Sequence, residues 1–204
     1  MAWQPVYASV AELKAYERIA DLVDDNEIAF ALEASSRSVD QYANRQFGKT
    51  ALEARVYTPE WDRRRCRWVV EIDDVQDITG LLVSVDDDDD GVFDKPVDDF
   101  RLFPFNAADT ARPYEMLVVR PTSTNLPVTT EGSLQVTALF GWNAVPVPVK
   151  QACLLQANRL MKRRDAPFGV AGSPEIGSEL RLLDKVDPDV AVALRPFQRW
   201  WSAA

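Results

Sequence analysis

The chain has 204 residues, a formal net charge of −9 and no histidine. Its length suits one domain, or one domain with an inserted subdomain, and 47% hydrophobic residues is ordinary for a globular protein. The absent histidine excludes Ser-His-Asp and Cys-His catalysis and most zinc sites, and the acidic balance disfavours tight binding to duplex DNA.

The N-terminal part of the chain predicts two helices joined by a short acidic turn. Ser9 and Glu12 have the spacing of a capping box, in which each side chain binds the other residue's backbone N–H at a helix start. Asp24 and Glu27 repeat that spacing, and the second helix extends to about Asn44. One apolar stripe follows the second helix: Ile28, Leu32, Ser35, Val39 and Tyr42.

From about Leu52 the apolar residues recur with the period of β-strands. Strand follows strand up to Gly141 without an intervening helix, which implies antiparallel pairing. We therefore predict an antiparallel β subdomain between these residues, inserted into a helical framework. The predicted strands cover residues 54–58, 67–72, 81–85, 99–105, 114–120 and 134–140.

The best-supported predicted helix begins at Pro146 and Pro148, because proline is tolerated in a first helical turn, and it runs to about Arg164. Its apolar stripe includes Leu155 and Leu160, which we expect to pack against the second helix. A loop that contains glycine, proline and serine follows it and reads as a tether.

The C-terminal segment predicts a terminal helix with an apolar stripe of its own. Asp187 caps this helix, and Pro196 kinks it or ends it. The stripe ends in aromatic residues, which are the usual anchors of protein interfaces. We interpret the segment as a docking element, and the alternative is that the helix folds back and covers its own subunit. The predicted docking residues are Leu194, Phe197, Trp200 and Trp201.

These elements predict an α+β fold: a helical bundle, made of the N-terminal αα-hairpin, a long C-terminal helix and a terminal helix, with an inserted antiparallel β subdomain. The predicted divisions are residues 1–51 for the helical hairpin, 52–141 for the inserted β subdomain, 142–168 for the central long helix that completes the helical core, and 169–204 for a flexible loop and the C-terminal docking helix.

The acidic run that begins at Asp86 matches the first half of a calcium-binding EF-hand loop. Asp86, Asp88 and Asp90 alternate as calcium ligands would, and Gly91 permits the sharp turn. However, Val97 stands at the twelfth position, where a bidentate glutamate is required, and the flanks predict strands. These three aspartates are therefore a weak metal candidate, and we favour an acidic hairpin tip exposed to solvent or to a partner.

A run of arginines interleaved with tryptophans follows the first predicted strand. The mixture is typical of a nucleic-acid patch. The acidic net charge favours another interpretation, in which the arginines pair with aspartates of this or a neighbouring subunit. The patch consists of Arg63, Arg64, Arg65 and Arg67, with Trp61 and Trp68.

The sequence also lacks the signals of an enzyme. The glycines from Gly169 to Gly172 lack the Gly-Lys-Ser/Thr end with which a P-loop holds phosphate. Neither Cys66 nor Cys153 has a histidine for activation. We therefore expect no catalytic activity and no cofactor, and the absence of a long apolar run leads us to expect no membrane span.

An ordered set of short motifs follows the last predicted strand. It consists of FGW at residues 140–142, a valine-proline step, an alanine- and leucine-rich helix, KRR at 162–164, DAPFGVAG at 165–172 and LDKVDPDVAVAL at 183–194. In this order the motifs resemble the head-to-tail connector proteins (adaptor, or head-completion) of long-tailed double-stranded DNA phages. The resemblance covers the chain from about Ser9 to Leu194.

The resemblance implies a structural protein of the virion neck, assembled in the host cytoplasm. Copies would form a ring, typically dodecameric in the family, with the portal protein on one side and the stopper or tail-completion protein on the other. Genomic DNA would pass through the lumen without tight binding. The terminal docking residues would then contact the portal, and Arg163, Arg164, Phe168 and Gly169 would lie at the subunit interface. The alternative is a phage DNA-binding or packaging accessory protein that uses the arginine patch.

Overall fold

The chain forms two units, one mainly helical and one made of β-strands. In the computed structural model, the residues that the structure describes are 5–19, 23–165, 170–171, 180–181 and 187–199. The helical unit comprises Met1–Phe47 and Val145–Ala204, and the β unit comprises Gly48–Ala144. The β unit is thus one continuous stretch of chain, whereas the helical unit is built from two.

The helical unit contains α1 (Val10–Glu17), α2 (Asp25–Ala43), α3 (Val147–Asp165) and α4 (Pro188–Leu194). The predicted capping box at the start of α1 is confirmed. The Ser9 N–H donates to the Glu12 carboxylate at 2.8 Å, and the Ser9 side chain accepts from the Glu12 N–H. A 3-10 turn, Arg195–Phe197, follows α4, because Pro196 has no N–H to continue the helix.

Helices α2 and α3 meet through small side chains. Ser36 Oγ of α2 lies 3.4 Å from Cys153 Sγ of α3, and the Ser36 hydroxyl bonds to the Leu32 carbonyl at 2.8 Å. Leu155 and Leu160, the large residues expected at this contact, are only half-buried. The small residues bring the two helix backbones close and leave the leucines at the margin. The fully buried residues of α3 are Val149, Ala152, Cys153 and Ala157.

A buried polar network fixes the segment that precedes α1. The Tyr7 hydroxyl donates to the Asp40 carboxylate and accepts the Phe47 N–H at 2.9 Å. Arg37 forms an ion pair with Asp40 at 3.1 Å. Burial raises the pKa of Asp40 to about 6, although the hydrogen bond from Tyr7 and the charge of Arg37 act in the opposite direction.

The C-terminal helix closes over the same unit. Val190 and Leu194 are buried, and the ring of Phe197 meets that of Phe47 edge-on with centroids 5.9 Å apart. The Arg199 N–H donates to the carbonyl of Ala43, the last residue of α2, at 2.8 Å. These contacts make α4 and its following turn part of the helical core.

The β unit is a seven-stranded antiparallel sheet. Its strand order is β1-β7-β3-β6-β5, while β2 and β4 both pair with β3. A separate two-stranded ladder, β8 with β9, belongs to the helical unit. The strands are β1 (Lys49–Tyr57), β2 (Glu60–Asp62), β3 (Arg67–Val85), β4 (Lys95–Pro96), β5 (Phe100–Phe103), β6 (Tyr114–Val119), β7 (Leu134–Gly141), β8 (Val170–Ala171) and β9 (Leu180–Arg181).

Strand β3 organises the sheet because it serves two partners in turn. Its first part, from Trp68 to Glu71, pairs with β6, and its second part, from Val75 to Val85, pairs with β7. The ladder slips at residues 78–81, which include Gly80 at a φ of 73°. The two strands predicted on either side of this slip are therefore one long strand. The core face of the sheet is formed by Val70, Ile72, Val83, Val85, Leu117, Val119, Leu134, Val136, Ala138 and Phe140.

The FGW motif has a structural explanation at the end of β7. Gly141 has a φ of 103°, and a Cβ at this position would lie 1.8 Å from the Gly48 carbonyl oxygen, so only glycine fits. The next residue, Trp142, donates its backbone N–H to the same Gly48 oxygen at 2.5 Å, and its indole N–H donates to the Asp74 carboxylate at 2.8 Å. The motif thus holds the two chain ends of the β unit together.

The predicted helical bundle with a long C-terminal helix is wrong. Helices and strands contribute about equally to the chain, and the seven-stranded sheet is as large a part of the fold as the helices. Two of the described helices, α1 and α4, have only eight and seven residues, which is too short to lie along a bundle. Pro196 ends α4, and β3 joins two of the predicted strands into one.

Candidate functional site

The arginine patch lies at the tight turn between β2 and β3. The Asp62 carboxylate accepts the backbone N–H groups of Arg64 and Arg65, at 3.1 and 3.3 Å, and so fixes the turn. The side chains of the turn arginines point to solvent, since each is exposed. Trp61 and Trp68, which the sequence interleaves with the arginines, instead meet edge to face across the two strands, with ring centroids 5.1 Å apart.

Beside this turn the structure forms an arginine-lined groove of about 480 Å³. Two of its arginines, Arg101 of β5 and Arg120 after β6, are distant in sequence from the predicted patch. Antiparallel pairing brings them there, because β6 lies between β3 and β5 and alternate residues share one face. The groove lining comprises Arg65, Cys66, Arg67, Arg101, Phe103, Phe105, Met116, Val118, Arg120 and Pro121.

Aromatic rings support the cations of this groove. The rings of Phe103 and Phe105 lie 4.0 Å apart between centroids. The Arg101 guanidinium lies 5.8 Å from the Phe105 ring and that of Arg67 lies 5.7 Å from the Phe103 ring, within the range of cation–π attraction. Val118 is buried between the strands at the base. The arginine heads are therefore held over an apolar floor.

The groove already binds carboxylates of its own chain. Arg67 Nε lies 3.5 Å from Asp62, and Arg120 lies 3.5 Å from Asp99. Among the described residues, no carboxylate lies within ion-pair distance of Arg65 or Arg101. The groove thus keeps an excess of positive charge on a chain whose net charge is −9.

The acidic segment forms a compact loop directly after β3, which we name the acidic loop (residues 86–91). The buried Asp86 carboxylate accepts three backbone N–H groups, from Asp89 at 2.8 Å, Asp90 at 3.3 Å and Gly91 at 2.8 Å. The loop is therefore shaped by its first aspartate. Asp88 and the other three aspartates of the loop are exposed.

The exposed aspartates of the acidic loop repel one another. The charge of Asp90 raises the pKa of Asp88 above its usual value. In the described part of the chain, the cation that pairs with this loop is Lys95, and its partner is Asp87. The loop therefore presents carboxylates that lack a cationic partner of their own.

The predicted metal candidate can be assessed from the same geometry. Carboxylate oxygens of Asp86, Asp88 and Asp90 lie within 4.8 Å of one another, so a cation would find three ligands. Both oxygens of Asp86 already accept backbone N–H groups. Val97, at the twelfth position of the EF-hand pattern, is buried in the sheet and bonds to the Val83 carbonyl at 2.9 Å. The arrangement accounts for the shape of the loop without an ion.

Two of the four predicted docking residues lie in the helical unit, and the other two lie outside the described residues. Leu194 is fully buried and Phe197 packs on Phe47 within the helical unit, contacts that the folded-back alternative accounts for. Trp200 and Trp201 lie outside the described residues. Docking on a portal stays a prediction for this segment.

The predicted interface residues are divided in the same way. Arg163 and Arg164 lie in the last turn of α3, where cations suit the negative end of the helix dipole. Phe168 and Gly169 lie outside the described residues. An intersubunit role for these four residues stays a prediction.

Two apolar surfaces are also exposed. On the sheet face opposite the core, Leu52, Val56 and Leu82 project from β1 and β3 and are each more than half exposed. In the helical unit a groove of about 630 Å³ runs between the N-terminal segment and α2, next to the exposed Phe30. Exposed apolar surfaces of this kind usually mark contacts with other proteins. Among the described residues, no helix combines the length and the apolar character that crossing a bilayer requires.

Comparison with solved structures gives a likeness in fold. No protein-family model and no curated protein matches the chain. A chain in the neck of an empty GTA (gene transfer agent) particle, computed with C6 symmetry, has a TM-score of 0.55 to this chain at 19% sequence identity. The match covers 100% of this chain and 96% of that chain. At this identity the likeness shows a shared fold that includes both units.

Proposed function

We propose that the protein is a structural component of a phage neck: a head-to-tail adaptor that forms a ring beneath the portal and joins it to the stopper or tail-completion protein around the DNA channel. The observation that carries the proposal is the fold shared with a chain of a phage-like particle neck, over nearly the full length of both chains. The proposed location is the virion neck, and assembly takes place in the host cytoplasm.

The sequence motifs add independent support. The ordered set from FGW at residues 140–142 to the segment that ends at Leu194 resembles the connector proteins of long-tailed phages. Within that set, Gly141 and Trp142 have a defined role, because they close the β unit onto Gly48. The motif is thus tied to the architecture rather than to a catalytic site.

The charge of the protein suits a ring around DNA. A net charge of −9 repels phosphate, so a channel lined by such subunits would let DNA slide without the counterion release that makes binding tight. The proposed role is structural rather than catalytic. The absence of histidine from the sequence agrees with this assignment.

Electron microscopy of the purified full-length protein mixed with portal rings of the same phage tests the function. We expect a ring of this protein on one face of the portal, visible as an added layer in side views. Portal rings that stay bare at micromolar protein, while the protein itself is folded by circular dichroism, would rule out the adaptor role.

A phage DNA-binding or packaging accessory protein is the second candidate, and the arginine-lined groove is the observation that favours it. A gel shift with duplex DNA over a range of salt concentrations separates the two functions. A phosphate-binding groove would retain DNA at low salt and lose it steeply as salt rises. We expect no retention at physiological salt, because the net charge opposes it.

A further inference from the structure

The arginine turn and the acidic loop flank β3 in the sequence. The arginine turn precedes Arg67, the first residue of the strand, and the acidic loop follows Val85, the last. In the part of the chain that the structure describes, none of the acidic-loop residues lines the arginine-lined groove of the same chain, and the cation that pairs with the loop is Lys95. The acidic loop of a chain therefore does not occupy the arginine-lined groove of the same chain.

We propose that the arginine-lined groove of one copy binds the acidic loop of a neighbouring copy. Two different surfaces then meet, which is a head-to-tail contact, and repetition of such a contact closes into a ring when its rotation permits. The inference deepens the proposed neck function, on which it depends for ring closure. The contact itself can be tested without the portal.

The chemistry of the two surfaces is complementary. Arginine is the residue best suited to bind carboxylates, because its planar guanidinium offers two parallel N–H donors. The groove already holds the carboxylates of Asp62 and Asp99, so its geometry accepts this ligand. Arg65 and Arg101 supply the further donors, and the exposed carboxylates of Asp88 and Asp90 supply the acceptors.

The acidic loop gains from the contact as well. Asp88 and Asp90 repel each other, and Lys95 is occupied by Asp87. A guanidinium placed between the two exposed carboxylates would remove this repulsion. The loop keeps its shape without help, because Asp86 holds its backbone, so little ordering is required on binding.

The net charge of −9 disfavours nucleic acid as the occupant of the groove, because it repels phosphate. Binding to single strands requires aromatic faces on which bases can stack. The Phe103 and Phe105 rings lie against each other, with the arginine heads over them. Trp61 and Trp68 meet edge to face. An aspartate-rich loop needs no such face and uses only the cations of the groove.

Crosslinking through the natural Cys66 tests the contact directly. Cys66 is exposed and lines the groove, whereas Cys153 is buried and so protected from reagents. Val92→Cys places a second thiol next to the acidic loop and leaves every aspartate in place. Ile78→Cys is the matched control, because both residues are β-branched and their exposures are 53% and 55%, but Ile78 lies in the slip in the middle of β3.

We expect a short bismaleimide to link full-length Val92→Cys chains into dimers and longer ladders on a denaturing gel. The Ile78→Cys chain and the unmodified chain should give at most a tenth of that yield. Adding Cys66→Ser to Val92→Cys should abolish the ladder, because the groove thiol is then gone. Equal yields from Val92→Cys and Ile78→Cys would overturn the contact.

Charge reversal tests whether the groove and the loop bind each other, because restored association on mixing two variants cannot come from a loss of folding. Arg65→Glu/Arg101→Glu reverses the groove, and Asp88→Arg/Asp90→Arg reverses the loop. Each variant alone should lose self-association by about tenfold or more, measured by sedimentation at low salt. An equimolar mixture should regain it, because the reversed groove of one chain meets the reversed loop of the other. If the mixture associates no more strongly than either variant alone, the proposal is contradicted.

The outcomes also separate this contact from the neck function. A chain that coats portal rings but shows no excess crosslinking of Val92→Cys retains the function and rejects the contact. A chain that crosslinks through Cys66 but leaves portals bare keeps the contact and rejects the adaptor role. A third outcome would favour a phosphate-binding groove and reject the contact. In that case the unmodified chain retains duplex DNA, Arg65→Glu/Arg101→Glu does not, and Val92→Cys shows no excess crosslinking.

Discussion

The two units of this protein use polar side chains in opposite ways. In the helical unit polar groups are turned inward: Tyr7 bonds to Asp40 under cover, and Ser36 meets Cys153 between α2 and α3. In the β unit the clustered charges are exposed in the two segments that flank β3, with arginines before the strand and aspartates after it. A buried polar group needs a hydrogen-bond partner within the chain, because burial without one is costly. An exposed charge is solvated by water and can later bind a group of another molecule.

This difference suggests a division of work between the units. The polar groups of the helical unit bond within the unit, and the C-terminal helix α4 contributes buried residues to its core. The β unit has its own apolar core, so that the charges in the two segments that flank β3 are free to serve a partner. Mutations in the helical unit should therefore change stability, and mutations in these two flanking segments should change association with little effect on folding.

The largest effect is expected at the C-terminal helix. Leu194→Ala should lower the free energy of unfolding by about 2–5 kcal/mol, because it opens a cavity at a fully buried position. Val192→Ala, two residues away and 73% exposed, should change it by less than about 0.5 kcal/mol. Urea unfolding followed by circular dichroism measures both. If Leu194→Ala keeps its stability but no longer binds portals, Leu194 is a docking residue, and the helical unit then also serves association.

A smaller loss is expected from crowding the contact between α2 and α3. Cys153→Leu adds volume where Cys153 Sγ lies 3.4 Å from Ser36 Oγ, so it should cost about 1–3 kcal/mol. Gln151→Leu, on the exposed side of α3, is the control and should leave the urea midpoint nearly unchanged. Tolerance of leucine at position 153 would mean that the two helices are not held as closely as the structure describes.

Asp40 should make the stability of the helical unit depend on pH. Its folded pKa of about 6 lies above the usual aspartate value of 3.8, so its contribution is fully present below about pH 4 and is lost as pH rises through 6. The stability of the wild type relative to Asp40→Asn should therefore fall by on the order of 1 kcal/mol between pH 4 and pH 7, after allowance for solvent screening.

Urea midpoints of the two proteins at several pH values measure this difference. Glu33→Gln, an exposed change on the same helix, serves as the control. Parallel curves for the wild type and Asp40→Asn would show that burial does not perturb Asp40.

The smallest effect on folding is expected at the acidic loop. Asp88→Asn/Asp90→Asn should shift the free energy of unfolding by less than about 0.5 kcal/mol, because both side chains are exposed and Asp86 still holds the loop. Millimolar calcium should leave the melting temperature of both proteins unchanged. A calcium-dependent rise in the wild type that the double variant lacks would identify a metal site instead.

Local physics made several parts of the fold predictable from sequence. The capping box of Ser9 and Glu12 depends on residues three apart, and it is present. The alternation of apolar residues predicted a strand over 134–140, and β7 spans Leu134–Gly141. Alternation fixes which side chains face the core as soon as one face of the sheet is buried.

The site was only partly predictable, because its two halves depend on different distances in the chain. The run from Arg63 to Arg67 is visible in the sequence, but Arg101 and Arg120 join it only through the pairing of β3, β6 and β5. A weak signal exists in the alternation of Arg101 and Phe103 with the inward residues of β5. Nothing local shows which strand is the neighbour, since register is a long-range property.

The sequence by itself determined the local elements, the acidic composition and the positions of the charged turns. The tertiary structure alone decided that residues 67–85 form one strand, that small residues bring α2 and α3 together, and that Leu194 belongs to the core. The physical reason is the same in each case. Capping and alternation act between residues a few positions apart, whereas strand continuity, close helix packing and burial depend on which distant segments offer a partner.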